Sequence, residues 1–69
     1  MKPKPFHRVV EVLKANGWRF IRASGSHQTF HKPGIITIVT VPFHGRNSMV
    51  KTGTLKNIAR QSGIPETDF

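Results

Sequence analysis

Residues 24–34 read Ser-Gly-Ser-His-Gln-Thr-Phe-His-Lys-Pro-Gly and place one short strand between two turns. Gly25 allows a tight backbone turn that a residue with a Cβ would resist. At the other end of the segment, Pro33 fixes φ at one central turn position and Gly34 accepts a positive φ at the next. Because two short turns in succession reverse the chain twice, the sequence predicts an antiparallel meander of three strands.

The middle strand, Ser26 to His31, has two distinct faces, because successive side chains of a strand point in opposite directions. One face carries His27, Thr29 and His31, and the other carries Gln28 and Phe30. If Phe30 enters a hydrophobic core, then His27 faces solvent.

The outer strands of the meander lie on either side of this segment. The first runs from Trp18 to Ala23. One of its faces carries Trp18, Phe20 and Arg22 and the other carries Arg19, Ile21 and Ala23, and the pattern does not decide which face is buried. The last runs from Ile35 to Val41 and is almost entirely β-branched, which favours a strand. We expect Val39 and Val41 to point inward, Thr40 to point outward and Pro42 to end the strand.

Two amphipathic helices flank the meander. The first begins near Pro5, ends at Asn16-Gly17, and has an apolar stripe formed by Phe6, Val9, Val10 and Leu13. The second begins at Thr52 or a neighbour, ends at Gly63 and Pro65, and has a narrower stripe formed by Leu55, Ile58 and Ala59.

The predicted fold is therefore α+β, with the order α-β-β-β-α in one domain over residues 1–69. Two helices can pack on only one face of a three-stranded antiparallel sheet, so the other face stays open. We expect Phe43 to Lys51 to form a polar loop. The tail Glu66 to Phe69 shows no periodicity, and we expect a frayed turn without a function.

The charge balance points to a polyanionic partner. Eleven Lys and Arg residues oppose three Asp and Glu residues, which gives a formal charge of +8. Nucleic acid is the first candidate partner and an acidic protein the second, whereas an anionic membrane is disfavoured because the basic residues are scattered. No cysteine is present and no apolar run approaches the ~18 residues of a membrane span, so we expect a soluble, cytoplasmic protein without disulfides.

His27 is the candidate working residue. An imidazole gives or takes a proton near neutral pH, which no other type of side chain in this sequence does when its pKa is unperturbed. The plain alternative is that a histidine beside a turn is only a surface side chain. Unless a bulge intervenes, Ser26 cannot form a nucleophile–base pair with His27, because neighbours along a strand point to opposite faces.

Across nearly its whole length, the chain resembles the HicA toxin family, the small messenger-RNA-cleaving toxins of bacterial and archaeal toxin–antitoxin pairs. The resemblance rests on the order and spacing of Asn16-Gly17-Trp18, Arg22, Gly25-Ser26-His27, Phe30, Thr40-Val41-Pro42, His44-Gly45, Gly53-Thr54-Leu55 and Gln61-Ser62-Gly63. It implies a fold like the double-stranded-RNA-binding domain, ribonuclease activity, a catalytic histidine at His27 and an antitoxin of the HicB type. One departure is Thr52, where members often carry Pro before the Gly-Thr that opens the final helix.

The residues disfavour metal-dependent cleavage, which generally needs clustered carboxylates. Glu11 lies on the first helix, while Glu66 and Asp68 lie in the tail. His27 and His31 share a strand face but stand about 13 Å apart along an extended chain, too far to bind one ion together. We therefore expect no metal and no cofactor.

Without a metal, RNA can still be cleaved, because its ribose 2′-hydroxyl can attack the neighbouring phosphorus. Positive charge nearby favours the neutral imidazole, so we expect His27 to act as the general base, with the acid role left open. His44, which follows the last strand, is the best candidate for the second proton transfer, although an ordinary loop histidine is an equal alternative.

Candidate phosphate contacts come from two kinds of group. Arg22, Lys32 and Lys51 offer charged side chains, and the amides of Gly53 and Thr54 at a helix N-terminus, beside Lys51 and Lys56, offer N–H donors. The alternative is that these lysines are only solvated. Trp18 and Phe20 could stack on bases, but in so small a domain we expect core positions for them.

Two other functions fit the same sequence. A non-catalytic module that binds double-stranded RNA would share the α-β-β-β-α order and the basic surface. A basic adaptor would instead bind an acidic protein and would bind RNA negligibly at physiological salt.

Overall fold

The computed structural model describes residues 1–69, and its elements follow the predicted order with two short strands added. They are β1 (Lys4–Pro5), α1 (Phe6–Ala15), β2 (Arg19–Ser24), β3 (His27–His31), β4 (Val39–Pro42), β5 (Met49–Val50), α2 (Thr52–Ser62) and a final 3-10 turn (Glu66–Asp68). Strands β2, β3 and β4 form an antiparallel sheet in that order. The predicted α+β fold and meander are confirmed.

The two turns of the meander depend on glycine where the sequence predicted it. Gly25 has φ 57° between β2 and β3, and Gly34 has φ 84° after β3. A residue with a Cβ resists this left-handed region of backbone conformation.

Helix α1 uses the predicted stripe with one change of detail. Phe6, Val9, Val12 and Leu13 are buried, while Val10 is only partly buried against the core. The helix has no side-chain cap at its start, so its first free amides need other partners. The Phe6 and His7 amides donate to the carbonyls of Ser48 (2.8 Å) and Arg46 (3.1 Å), which ties the loop after β4 to the start of the helix.

One apolar cluster of 14 buried residues joins both helices to one face of the sheet. Leu13 of α1 and Leu55 of α2 share this core with Phe30, Val39 and Val41 of the sheet. Trp18, between α1 and β2, is also buried, as expected, but the expectation of a core position for Phe20 is wrong, because Phe20 is 49% exposed on edge strand β2. Both helices therefore cover the same side of the sheet, and neither, at ten and eleven residues, has the length and apolar character to cross a bilayer.

The last strand is shorter than predicted. It begins at Val39 and not at Ile35, and Ile36 is 99% exposed. The Ile35 amide donates to the Lys32 carbonyl at 3.0 Å and closes the turn around Pro33. Residues 35–37 would have to pair with the turn residues themselves, and Pro33 has no N–H to offer, so the ladder with β3 begins only at Val39.

The expectation of a polar loop over Phe43 to Lys51 is wrong in part. Met49 and Val50 form β5, which pairs antiparallel with β1, and Val50 is buried. Phe43 packs edge-on against Phe6, with ring centroids 4.7 Å apart. Two-residue strands are too short to show a period, which is why the pattern missed them.

The expectation of a frayed tail is also wrong. Glu66–Asp68 form a 3-10 turn, and Phe69 is only 5% exposed within the core cluster. The tail returns to the core because Gly63, with φ 72°, ends α2 in the left-handed conformation and redirects the chain.

We predict that Phe69→Ala lowers the free energy of unfolding by about 3 kcal/mol, because truncating a buried aromatic side chain costs about 3–5 kcal/mol and a terminal site relaxes more easily. Urea unfolding followed by tryptophan fluorescence measures the change. Thr67→Ala, in the same tail but exposed, is the matched control and should change stability by less than about 0.5 kcal/mol. Equal effects from the two substitutions would show that the tail frays in solution.

Candidate functional site

The sheet has one face covered by helices and one face without them, which we call the open face. Directly paired residues of antiparallel strands point to the same side, so the pair of buried residues Phe30 and Val39 marks the covered side. The alternate positions form the open face: Arg19, Arg22 and Ser24 of β2, His27, Thr29 and His31 of β3, and Thr40 and Pro42 of β4.

His27 begins β3 and lies on the open face between Ser24 and Pro42. Its side chain is exposed and has no hydrogen-bond partner within the protein, whereas Phe30 is fully buried. The predicted orientation of these two residues is therefore confirmed. The Ser26 carbonyl accepts a hydrogen bond from the Phe43 amide, and no hydrogen bond joins the Ser26 hydroxyl to His27.

A β-bulge brings Arg22 to the same face as His27. Phe20 pairs with Phe30 and Arg22 pairs with Thr29, which leaves Ile21 as an extra residue between them. Phe20 therefore lies on the covered side and Arg22 on the open face. Neither of the two faces predicted for this strand is correct, because alternation along one strand does not reveal an inserted residue.

Arg22 is the diagonal neighbour of His27 across the β2–β3 ladder. Diagonal neighbours in antiparallel strands stand about 7–8 Å apart, within reach of a long side chain. The Arg22 side chain is exposed and has no carboxylate within 4 Å. A free guanidinium thus lies beside the imidazole.

Hydroxyl groups complete the surroundings of His27, and sequence reasoning did not single them out. Thr29, between Arg22 and Thr40 in the middle row of the face, is the one buried polar side chain at 6% exposure. Ser24 pairs directly with His27. These neighbours follow from the register between strands, and the sequence of a single strand does not determine that register.

His44 lies at the same end of the sheet as His27, in the loop that follows β4. It comes two residues after Pro42, the direct partner of His27. The loop is held by the Ser48 hydroxyl, which donates to the Gly45 carbonyl at 2.7 Å and accepts from the His44 amide at 3.4 Å. The two imidazoles are not hydrogen-bonded to each other.

The other predicted phosphate contacts lie apart from His27. Lys32 follows β3 at its opposite end, where its side-chain carbons lie against Gly17. Lys51, Gly53, Thr54 and Lys56 begin α2 in the helical layer. Lys51 occupies the N-cap position without a side-chain cap, and its carbonyl accepts the hydrogen bond from the Leu55 amide at 2.9 Å. Of the predicted contacts, only Arg22 shares the open face with His27.

The open face carries Arg19 and Arg22 but no carboxylate. All three carboxylates lie outside the sheet: Glu11 is on α1, and Glu66 and Asp68 are in the final turn. Among the eleven Lys and Arg side chains, only Arg8 lies within 4 Å of a carboxylate, at 3.7 Å from Glu11. The open face therefore carries uncompensated positive charge.

The carboxylates and histidines are also scattered with respect to one another. No group of three or more His, Asp or Glu side chains lies close enough to hold a metal ion. One pair is in contact on α1, His7 Nδ1 and Glu11 Oε1 at 3.5 Å, but two side chains do not make a metal site.

Comparison with known proteins identifies the family. No curated protein matches the chain. A family model described as the HicA toxin of bacterial toxin–antitoxin matches residues 6–64, a span that includes both helices and the whole three-stranded sheet. The chain therefore belongs to the HicA toxin family, the toxins of bacterial toxin–antitoxin systems.

Proposed function

We propose that this toxin is a metal-independent RNA endonuclease in which His27 transfers the proton that starts cleavage. One observation carries the proposal: a free imidazole stands beside a free guanidinium, Arg22, on a sheet face without a carboxylate. Membership of the HicA family, whose members are generally ribonucleases, supports the same activity.

The reaction needs no nucleophile from the protein. His27 takes the proton from a ribose 2′-hydroxyl while the 2′ oxygen forms a bond to the adjacent phosphorus. The bond from phosphorus to the 5′ oxygen breaks, and that oxygen receives a proton from a general acid. The products are a 2′,3′-cyclic phosphate and a free 5′-hydroxyl.

Arg22 and His44 take supporting roles in this proposal. The Arg22 guanidinium donates hydrogen bonds to the phosphoryl oxygens, whose negative charge increases in the transition state. His44, at the same end of the sheet, is the candidate general acid for the departing 5′ oxygen. Its place two residues beyond the partner of His27 is what favours it.

The start of α2 and Lys32 serve as outer contacts for the RNA backbone. The first turn of α2 contains no acidic residue, and no side chain caps its free amides. Lys51 and Lys56 add positive charge beside the Gly53 and Thr54 amides. N–H donors and the helix dipole at this position both favour an anion such as a phosphate.

A module that binds double-stranded RNA without cleaving it is the second candidate, because the observed α-β-β-β-α order also suits that function. A cleavage assay in excess chelator separates the two functions. A module that only binds would leave the RNA intact.

We predict that His27→Ala lowers the rate of RNA cleavage by at least about 100-fold, because a positioned general base contributes 10²- to 10⁴-fold. The fold and most of the RNA affinity should survive, since His27 is neither a core residue nor part of the basic side-chain set. His27→Gln should be as inactive as His27→Ala, because glutamine keeps hydrogen bonding but cannot titrate.

His7→Ala is the matched control, because His7 is also partly exposed but lies on α1. It should cleave RNA at the wild-type rate. Wild-type cleavage by His27→Ala would remove His27 from the mechanism, and substantial activity in His27→Gln would leave it only a positioning role.

The second prediction concerns the substrate. An RNA with a single 2′-deoxynucleotide at the scissile position should resist cleavage, because the attacking oxygen is missing. EDTA should not inhibit cleavage of the unmodified RNA. Analysis of product ends by mass spectrometry should give a cyclic or 3′-phosphate and a 5′-hydroxyl; 5′-phosphate ends formed only with Mg²⁺ would overturn the chemistry.

We further propose that the partner antitoxin is of the HicB type and covers the open face directly. Pairing with an antitoxin follows from the family, and the uncompensated charge around His27 supports the site of contact. An acidic surface placed over that charge would gain in association rate and specificity.

The third prediction tests this contact. Co-expression with the antitoxin should yield a complex that does not cleave RNA. Hydrogen exchange measured by mass spectrometry should show slower exchange at Arg22, at His27 and across residues 42–51 than in the free toxin. Inhibition without protection at His27 would mean that the antitoxin acts from another surface.

A further inference from the structure

A second pair of donor side chains lies on the open face, at the end opposite His27. Arg19 and His31 are direct partners across the β2–β3 ladder, a position in which Cβ atoms stand about 4.5–5.5 Å apart. Arg19 is exposed and His31 is half-buried. Neither side chain has a hydrogen-bond or carboxylate partner within the protein, so both are free to donate to an anion.

The bulge at Ile21 places Arg22 on the same face of the sheet as Arg19 and His31. Arg19 and Arg22 are three positions apart, and in a regular strand they would point to opposite faces. The extra residue returns both to the open face. Two guanidiniums therefore follow β2 in successive rows, beside the column formed by His27, Thr29 and His31.

The length of this column fits a short stretch of one nucleic-acid strand. His27 and His31 are four residues apart on β3, about 13 Å along the strand. A stacked nucleic-acid strand advances about 3.4 Å per nucleotide, so the distance spans at most about four nucleotides. One RNA strand can thus occupy both ends of the open face.

The open face suits a single strand better than a duplex. Three strands spaced about 4.8 Å apart give a width of about 10 Å, and the face is about 13 Å long from His27 to His31. Modules that bind double-stranded RNA contact about 16 base pairs, a length of duplex far greater than either dimension. The face also carries no Phe or Trp side chain: Phe20, although 49% exposed, points to the other side of the sheet, where its ring centroid lies 5.9 Å from that of Phe30. Its contacts therefore go to the RNA backbone and not to stacked bases.

We propose that Arg19 and His31 form a phosphate-binding subsite for single-stranded RNA, at most about four nucleotides from the phosphate at His27. The inference rests on the proposed function, because it takes the scissile phosphate to lie at His27. The fork of Arg19 binds two phosphoryl oxygens, and His31 donates one further hydrogen bond.

Equilibrium binding tests the subsite separately from cleavage. Fluorescence anisotropy is measured with the His27→Ala protein and two single-stranded RNAs, a dinucleotide and an octanucleotide. Arg19→Ala in this background should weaken octanucleotide binding about tenfold at low salt and reduce the salt slope by about one. Dinucleotide binding should not change, because a dinucleotide at His27 does not reach Arg19.

Arg60→Ala is the matched control, since Arg60 is exposed on α2 and hydrogen-bonds Asn57 at 3.0 Å. It removes the same charge away from the sheet and should leave octanucleotide binding nearly unchanged. Far-UV circular dichroism checks folding. If Arg19→Ala fails to fold, Arg19→Gln, which removes the charge but keeps a polar side chain with two methylenes, replaces it.

Three results would overturn the subsite. In the first, Arg19→Ala weakens binding of the dinucleotide and the octanucleotide equally. In the second, it weakens octanucleotide binding no more than Arg60→Ala does. In the third, duplex RNA binds as tightly as the octanucleotide and loses as much affinity on Arg19→Ala. Failure of the proposed function looks different. The octanucleotide would then bind with the predicted dependence on Arg19, while the wild-type toxin left it uncut.

Discussion

Burial of Phe30 beneath the two helices determines which side of the sheet faces outward. A chain of 69 residues supplies only two helices, and both pack on that side. Because strand side chains alternate, a shift of one position in β3 would bury His27 and expose Phe30. The packing of one aromatic side chain therefore fixes the outward orientation of the imidazole three residues earlier on the same strand.

The sequence allowed those parts of the fold to be predicted that depend on local pattern. Both helices, the two glycine turns and the direction of Val39 and Val41 follow from periods and turn residues within single segments. The β1–β5 pair and the burial of Phe69 depend on contacts between distant segments, and so they could not be predicted. In the candidate site, the outward direction of His27 was predictable, but its neighbours were not, because the bulge at Ile21 resets the pairing of Arg22.

The site and the start of α1 share one stretch of chain. The loop after β4 follows the partner of His27, carries His44, and supplies the carbonyls of Arg46 and Ser48 to the first amides of the helix. Helix packing thus limits how far His44 can move with respect to the sheet. A position set by backbone hydrogen bonds is well suited to a side chain that has no anchoring contact of its own.

The isoleucines just before Val39, which do not pair with β3, affect the tendency of the protein to aggregate in solution. Ile35, Ile36 and Ile38 are exposed, uncharged and β-branched, and they lead directly into an edge strand with free backbone groups. Such a segment can template intermolecular β-pairing and aggregation. The charge of +8 makes copies of this chain repel one another and opposes that pairing. A polyanion that neutralises the charge would remove this colloidal protection while the edge stayed uncovered.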